Sequence, residues 1–439
     1  MTRDVAFAAL LTLVLALEGN AQTNTSTPMF PVYIQRGDEV EGHYRRHKER
    51  LQRVYAEKLV PSVQRNVPDL LPKLEAAAPK PLQHGYLILP KLLPDGPPPA
   101  QRLRATSTAY SWPRTRQLID RDAQTLTNLE TELAGVVAQS AAEQRPVYER
   151  FITAYRRLSE SLRTIDSHLQ YNRLWQSVIA HNLPNYQQQT VLHDAVLERQ
   201  AVQDAFAAPD EVTFRTALGE IKNIDDTRAR EVVEWDLKAR EQTLARAISE
   251  ATDSIPAPSF LRVLHPTPHL WILQVPFSTD IADTGFVRAV QTAIETLWQV
   301  RDGEDEFRVQ MTISVLPVAQ LYGQQPAPQQ GEAINLQAHL VRFPAEAAIL
   351  TTGAATTHVS SRWAIVLGPH DISAHTLAHE FGHILGFKDV YFRGYKDLGA
   401  EGYQVMEVIA DPGDIMGAPG SGPVLRRHFE RIIQNELDK

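Results

Sequence analysis

The stretch His375-Thr376-Leu377-Ala378-His379-Glu380-Phe381-Gly382-His383-Ile384-Leu385-Gly386-Phe387-Lys388-Asp389 decides how the second half of this 439-residue chain is read. It predicts a helix from about Ile372 to Leu385. His379 and His383 are four residues apart, so on a helix both imidazoles project from one face and can reach the same metal ion. Glu380 stands beside them, placed to take a proton from water whose pKa a bound zinc ion lowers toward neutrality. Gly386 can adopt the positive φ that ends a helix and turns the chain back. Asp389 follows three residues later and is the expected third ligand. Two histidines and one carboxylate leave a fourth coordination position open, as a catalytic zinc site requires. His375 is eight residues, or about 12 Å of helix rise, from His383, so the two cannot share a metal. The earlier His375/His379 pair has Thr376 where a base should stand, and His375 is expected to be a supporting or surface residue. A competing scheme completes the site with Glu401 or Glu407, 18 and 24 residues after His383, but leaves Gly386 without a role.

Working outward, the region from Pro256 to the C-terminus predicts a strand (Leu270 to Val275), a helix (Phe286 to Val300), a strand (Phe307 to Val315) and a Gln/Pro/Gly-rich loop from Gly323 to Gly331. Extended segments near Ala347 to Thr352 and Trp363 to Leu367 precede the histidine helix. That order predicts an α/β or α+β layer over residues 256–439, with the last helix packed on a sheet, and an α+β chain once the helical region before it is counted. Residues 115–252 predict a helical bundle or coiled region. Ile119, Asp122, Leu126, Leu129, Leu133 and Val136 recur at helical spacing, as do Phe151, Tyr155, Leu158, Leu162, Ile165 and Leu169. Val233, Leu237, Leu244 and Ile248 continue the habit, with breaks expected at Pro146, Pro184 and Pro209. Residues 22–114 hold a charged helix, Asp38 to Lys58, and a proline-rich connector from Pro61 to Pro99 that is expected to be loop or extended chain.

Residues 1–21 have the form of a secretory signal: Arg3, an apolar run from Val5 to Leu17, and an exit at Gly19-Asn20-Ala21. The run is about 13 residues against roughly 20 for a bilayer-spanning helix, so an exported chain, secreted or periplasmic, with no membrane span after processing is expected. Cysteine is absent, which excludes disulfides, thiolate ligands and a cysteine nucleophile; any metal must be held by His, Asp or Glu. The net charge of -8 is too mild to argue for nucleic acid, and from Asp253 onward 13 Lys+Arg face 21 Asp+Glu, so the C-terminal part carries the imbalance.

The pattern His-Glu-x-x-His-x-x-Gly-x-x-Asp, followed by Asp414-Ile415-Met416-Gly417, resembles the metzincin zinc metalloproteases, in particular their Asp-liganded, snapalysin-like variant. The resemblance covers about Pro256 to the C-terminus and is carried by residues 375–417. It implies a secreted zinc endopeptidase acting on protein or peptide substrates, with zinc on His379, His383 and Asp389, Glu380 as general base, and Met416 in a turn that floors the site. It also implies an antiparallel edge strand offered to an extended substrate, placed here at Thr356 to Arg362. Most of the clan has a third histidine where this chain has Asp389, and some have a tyrosine two residues after the methionine, where this chain has Ala418. Tyr391 and Tyr395 follow the helix exit, where packing and assistance to an oxyanion are both open roles. Two other readings stand beside the peptidase. One is a secreted binding or adhesion protein whose helical part engages an unknown partner while the metal site is vestigial; in the other, the region before Asp253 is a removable propeptide.

Overall fold

The computed structural model describes residues 30–78, 85–93, 104–136, 141–181, 183–253 and 257–437. The segment 1–21 and the triplet Pro97-Pro98-Pro99 lie outside the described residues. The chain is α+β and divides into two compact units. Of the described residues, one takes those up to residue 78 with 107–188 and 394–406; the other takes 85–93, 104–106 and the described parts of 189–393 and 407–437.

The first unit is mostly helical. Its long elements are α1 (Phe30–Arg53), α2 (Trp112–Gly135) and α3 (Ala141–His181). The stripes at helical spacing are what they bury: Ile119, Leu126 and Leu133 from α2, and Phe151, Tyr155, Leu158, Leu162, Ile165 and Leu169 from α3, form two apolar clusters with α1 and its continuation. The proline-rich connector departs from expectation. Residues 60–66, 68–70 and 71–77 are helical, and Pro61, Pro68 and Pro72 each sit at the first or second position of a short helix. The first turn of a helix has no acceptor for its N–H groups, so proline loses nothing there and its fixed φ favours the turn. Val63, Leu70 and Leu74 from these turns are buried in the same core. Pro146 also fails to break its helix: it lies inside α3, in the second turn, where only one intrahelical bond is forgone.

The second unit begins its helical part within α4 (Leu183–Ala207), followed by α5 (Glu211–Leu218) and α6 (Arg230–Thr252). Val202, Ala205, Phe214, Leu218, Val233 and Leu237 pack these three together. The helical region predicted over residues 115–252 is thus shared between the two units, because a stripe at helical spacing specifies burial without specifying the partner. The sheet follows: β1 (Arg262–Thr267), β2 (Leu270–Thr279), helix α7 (Thr284–Leu297), β3 (Gln299–Asp302), β4 (Asp305–Val315), β5 (Ala348–Thr352), β6 (His358–Ser360) and β7 (Ala364–Leu367). Strand order is β3-β4-β2-β5-β7-β6, with β1 also on β2. Strands β4, β2, β5 and β7 run parallel, in the register Leu270 with Glu306, Phe277 with Ala348 and Ile349 with Ala364. Strands β1, β3 and β6 are antiparallel to their neighbours, so β6 is an antiparallel edge strand at one end of the sheet. The predicted segment Thr356 to Arg362 contains it.

Alternation along the central strands separates the two faces of the sheet. Ile349, Ala364 and Val366 pack with Leu321, Leu340 and Phe343 on one side. Leu350, Ile365 and Leu367 pack on the other, with Val287, Val290 and Ile294 of α7 and with Leu377, Phe381 and Ile384 of α8 (Ala374–Ile384). Burying each of those large side chains stabilises by about 1.5–3 kcal/mol, which fixes the histidine helix against the sheet. The chain ends in two strands, β8 (Tyr391–Asp397) and β9 (Tyr403–Ile409), and helix α9 (Arg426–Leu437).

Residues 85–93 are strapped onto this unit. Tyr86 is fully buried and donates its hydroxyl to Asp280, which also accepts from Thr351 Oγ1 at 2.8 Å and lies 3.1 Å from His339 Nε2. Leu92 and Leu93 pair in parallel with Ile372 and Ser373, at the entrance to α8. Removing one donor from a buried carboxylate exposes the cost of its desolvation. Tyr86→Phe is expected to lower the unfolding free energy by about 1–3 kcal/mol in denaturant titrations.

Candidate metal centre

Helix α8 starts and stops where its sequence dictates. Ser373 caps its N-terminus by accepting from Thr376 N at 3.1 Å. At the other end Gly386 takes φ 95°, with its N–H on the His383 carbonyl and the Phe387 N–H on the Gly382 carbonyl, the paired bonds of a left-handed glycine stop. The chain therefore turns back beneath the helix after two residues, and Asp389 returns to the histidine face. Trp298, fully buried, donates its indole N–H to the Ala378 carbonyl at 2.8 Å and packs its ring against Phe381.

His379 and His383 are each oriented by a backbone carbonyl. Nδ1 of His379 is 2.9 Å from the Ile415 oxygen, and Nδ1 of His383 is 2.8 Å from the Phe387 oxygen. A carbonyl only accepts, so Nδ1 carries the proton in both rings and Nε2 of the neutral ring presents a lone pair. Both Nε2 atoms lie 3.2 Å from Asp389 Oδ1, and the three donor atoms fall within 4.8 Å of one another. Ligands about 2.0–2.1 Å from a tetrahedral zinc are about 3.3 Å apart, so the spacing fits one ion. Asp389 Oδ1 is buried without a directed hydrogen bond, the condition of a donor waiting for a cation. Among the described residues, no other group of His, Asp and Glu converges in this way.

Electrostatics follow from the crowding. Burial alone would lower His383, but the Asp389 and Glu380 carboxylates and the Phe387 carbonyl outweigh it and push it up to about 9. Burial would raise Asp389, yet the two imidazoles hold it well below the ordinary carboxylate range. Glu380 is 9 % exposed; burial pushes its carboxyl upward, against the pull of His379 and His383.

Beneath the helix, residues 414–417 form a tight turn, with Gly417 N and Ala418 N both on the Asp414 carbonyl. Met416 is buried under Gly382, where its sulfur occupies the space a Cβ would need. The Asp414 carboxylate accepts from Met416 N at 2.7 Å, sits 3.1 Å from His428 Nε2 and pairs with Arg427. That lock also fixes the Ile415 carbonyl that orients His379.

All the expected ligands therefore meet: His379, His383 and Asp389 converge, with Glu380 beside them, Gly386 at the stop and Met416 below. Glu407 instead pairs with Arg393 at 3.0 Å, and Glu401 lies in the 3₁₀ turn Gly399–Glu401, in the other unit. His375 is half-buried one turn before His379. Tyr395 packs in the apolar cluster of the first unit. Glu304, Asp305 and Glu306 are engaged by His269, Arg426 and Arg301. The roles of Gly382, Trp298, Asp414 and His428 emerge only in the structure. A glycine inside a helix costs about 1 kcal/mol against alanine and so asks for a packing reason, which was the available signal for Gly382. No family model, curated protein or solved structure matches this chain.

Burial would raise Asp414, but His428, Arg427 and the Met416 N–H outweigh it and hold it at about 2. A carboxylate held below its ordinary value of 3.8 contributes stability that is complete above about pH 4 and disappears as pH falls toward 2. Asp414→Asn is expected to remove about 2 kcal/mol at pH 7 and to flatten stability against pH in that acid window, as read by thermal unfolding across pH.

Proposed function

We propose that this chain is a zinc-dependent endopeptidase of the metzincin type, exported from the cell, with zinc held by His379, His383 and Asp389. The observation that carries the reading is the pair of carbonyl-oriented imidazoles whose Nε2 atoms both stand 3.2 Å from Asp389 Oδ1, with Glu380 on the next helical position. Two nitrogens and one carboxylate suit zinc and leave room for water and substrate. When bound, the metal supplies Lewis acidity that polarises a peptide carbonyl and acidifies water.

The protein groups supply the rest. Glu380 is nearly buried, and burial raises its carboxyl while the neighbouring histidines oppose the rise, which brings its proton affinity toward the range of a working base. It takes the proton of the attacking water and returns it to the leaving amine. Strand β6 ends the sheet antiparallel to β7. An extended peptide laid along its outer side would add the next strand, with main-chain hydrogen bonds holding the scissile bond in line. Met416 sits as an apolar floor beneath the helix at Gly382 and limits movement of the ligands. No helix among the described residues is long and apolar enough to cross a membrane.

The test is metal content by mass spectrometry together with cleavage of an unfolded protein substrate. About one zinc per chain is expected in the wild type and in Glu380→Gln, and little in Asp389→Ala. Glu380→Gln should lose at least a hundred- to ten-thousandfold in kcat, the ordinary contribution of a positioned base. A wild type that takes up no zinc, or a Glu380→Gln variant that cleaves at the wild-type rate, would overturn the reading in favour of a helical binding protein.

A further inference from the structure

Behind the ligands stands a second set of residues, on the hairpin that follows the site. The Tyr391 ring stacks on His379, centroids 5.9 Å apart and planes 27° from parallel. Burial and the charge of the nearby Asp389 carboxylate raise its phenol well above the ordinary range, so it stays protonated beside that carboxylate. The Arg393 guanidinium lies 4.5 Å from the centroid of the same ring, and Arg393 Nε binds Glu407 Oε2 at 3.0 Å. Tyr391 and Arg393 are two apart on β8 and share a face of that strand; Glu407 comes from β9. The base of the hairpin is held by Phe392 and Val408, both buried with Leu192, Val196 and Ile248. Val390 N, one residue before Tyr391, binds the Met416 carbonyl at 2.9 Å.

We infer that Glu407, Arg393 and Tyr391 form a buttress that positions Asp389 and His379 for the metal, with Tyr391 acting through those two ligands. The inference rests on the zinc reading given above and adds residues to it. A phenol has one proton to donate. Given to the Asp389 carboxylate, it steers that side chain toward the two Nε2 atoms and cannot at the same time serve an oxyanion. The ring, in contact with both the imidazole and the guanidinium, restrains rotation of His379 about its own Nδ1 hydrogen bond. Glu407 fixes the guanidinium, so a residue expected as an alternative ligand contributes from two steps away. Partners of this kind typically set metal affinity by a factor of 10–100.

The experiment measures Zn²⁺ affinity of the full chain by competition with a chromophoric chelator, and the visible absorption of the Co²⁺-loaded protein, in wild type, Tyr391→Phe and Glu407→Gln. Tyr391→Phe keeps the ring and removes the hydroxyl; Glu407→Gln touches no ligand. Expected are a 10–100-fold weaker Zn²⁺ affinity in Tyr391→Phe, a smaller loss in Glu407→Gln, and altered Co²⁺ bands in both. Wild-type affinity and wild-type bands in Tyr391→Phe would overturn the buttress, whatever happens to kcat. If Tyr391→Phe does not fold, Glu407→Gln decides by the same two readouts. Failure of the wild type itself to bind Zn²⁺ is a separate result and removes the metal reading beneath the inference.

Discussion

Two hydrogen bonds, from His379 Nδ1 to the Ile415 carbonyl and from His383 Nδ1 to the Phe387 carbonyl, are the constraint on which the site depends. Each fixes a ring plane and the proton on Nδ1, and between them they turn both Nε2 atoms toward Asp389. The acceptors come from two separate turns of the C-terminal region. Phe387 follows the glycine stop of α8, while Ile415 belongs to the turn locked by Asp414, His428 and Arg427. A local backbone choice, positive φ at Gly386, sets one of them. A packing choice, a tight turn under a helical glycine, sets the other.

The surrounding fold serves to keep that helix still. Its apolar side is spent on the sheet and α7, and the indole N–H of Trp298 reaches the Ala378 carbonyl on the same helix. The polar side carries His379 and Glu380, both nearly buried, whose desolvation must be offset by partners rather than by water. Among the side chains themselves the offset is electrostatic, with a depressed Asp389 beside a His383 raised to about 9. A divalent ion would answer the same need with one central charge, so a cluster of this composition could hold a metal ion.

Much of the site was legible because its spacing is local. His379, Glu380, His383, Gly386 and Asp389 lie within eleven residues, and helical geometry plus one left-handed glycine is enough to bring them together. The strands from Leu270 to Leu367 were legible for a similar reason, since runs of buried β-branched and aromatic residues mark central strands. The prolines between Pro61 and Pro72 were misread because proline is silent about whether it ends one element or begins another. Asp414 and His428 were invisible as a pair: fourteen residues separate them, and only the packing of α9 brings them to 3.1 Å.

The sequence by itself determined the donor set, the helix that presents it, the absence of any thiolate alternative and the order of elements around it, because each depends on residue type and on contacts a few residues long. Tertiary structure alone decided which carbonyls orient the imidazoles, that Glu407 anchors Arg393 instead of ligating, that Tyr391 lies against His379, and how the helices from Thr115 to Ala251 divide between two units. An apolar stripe or a charged side chain specifies that a partner is needed. Which partner meets it depends on chain segments that come together only when the sheet and the helices have packed.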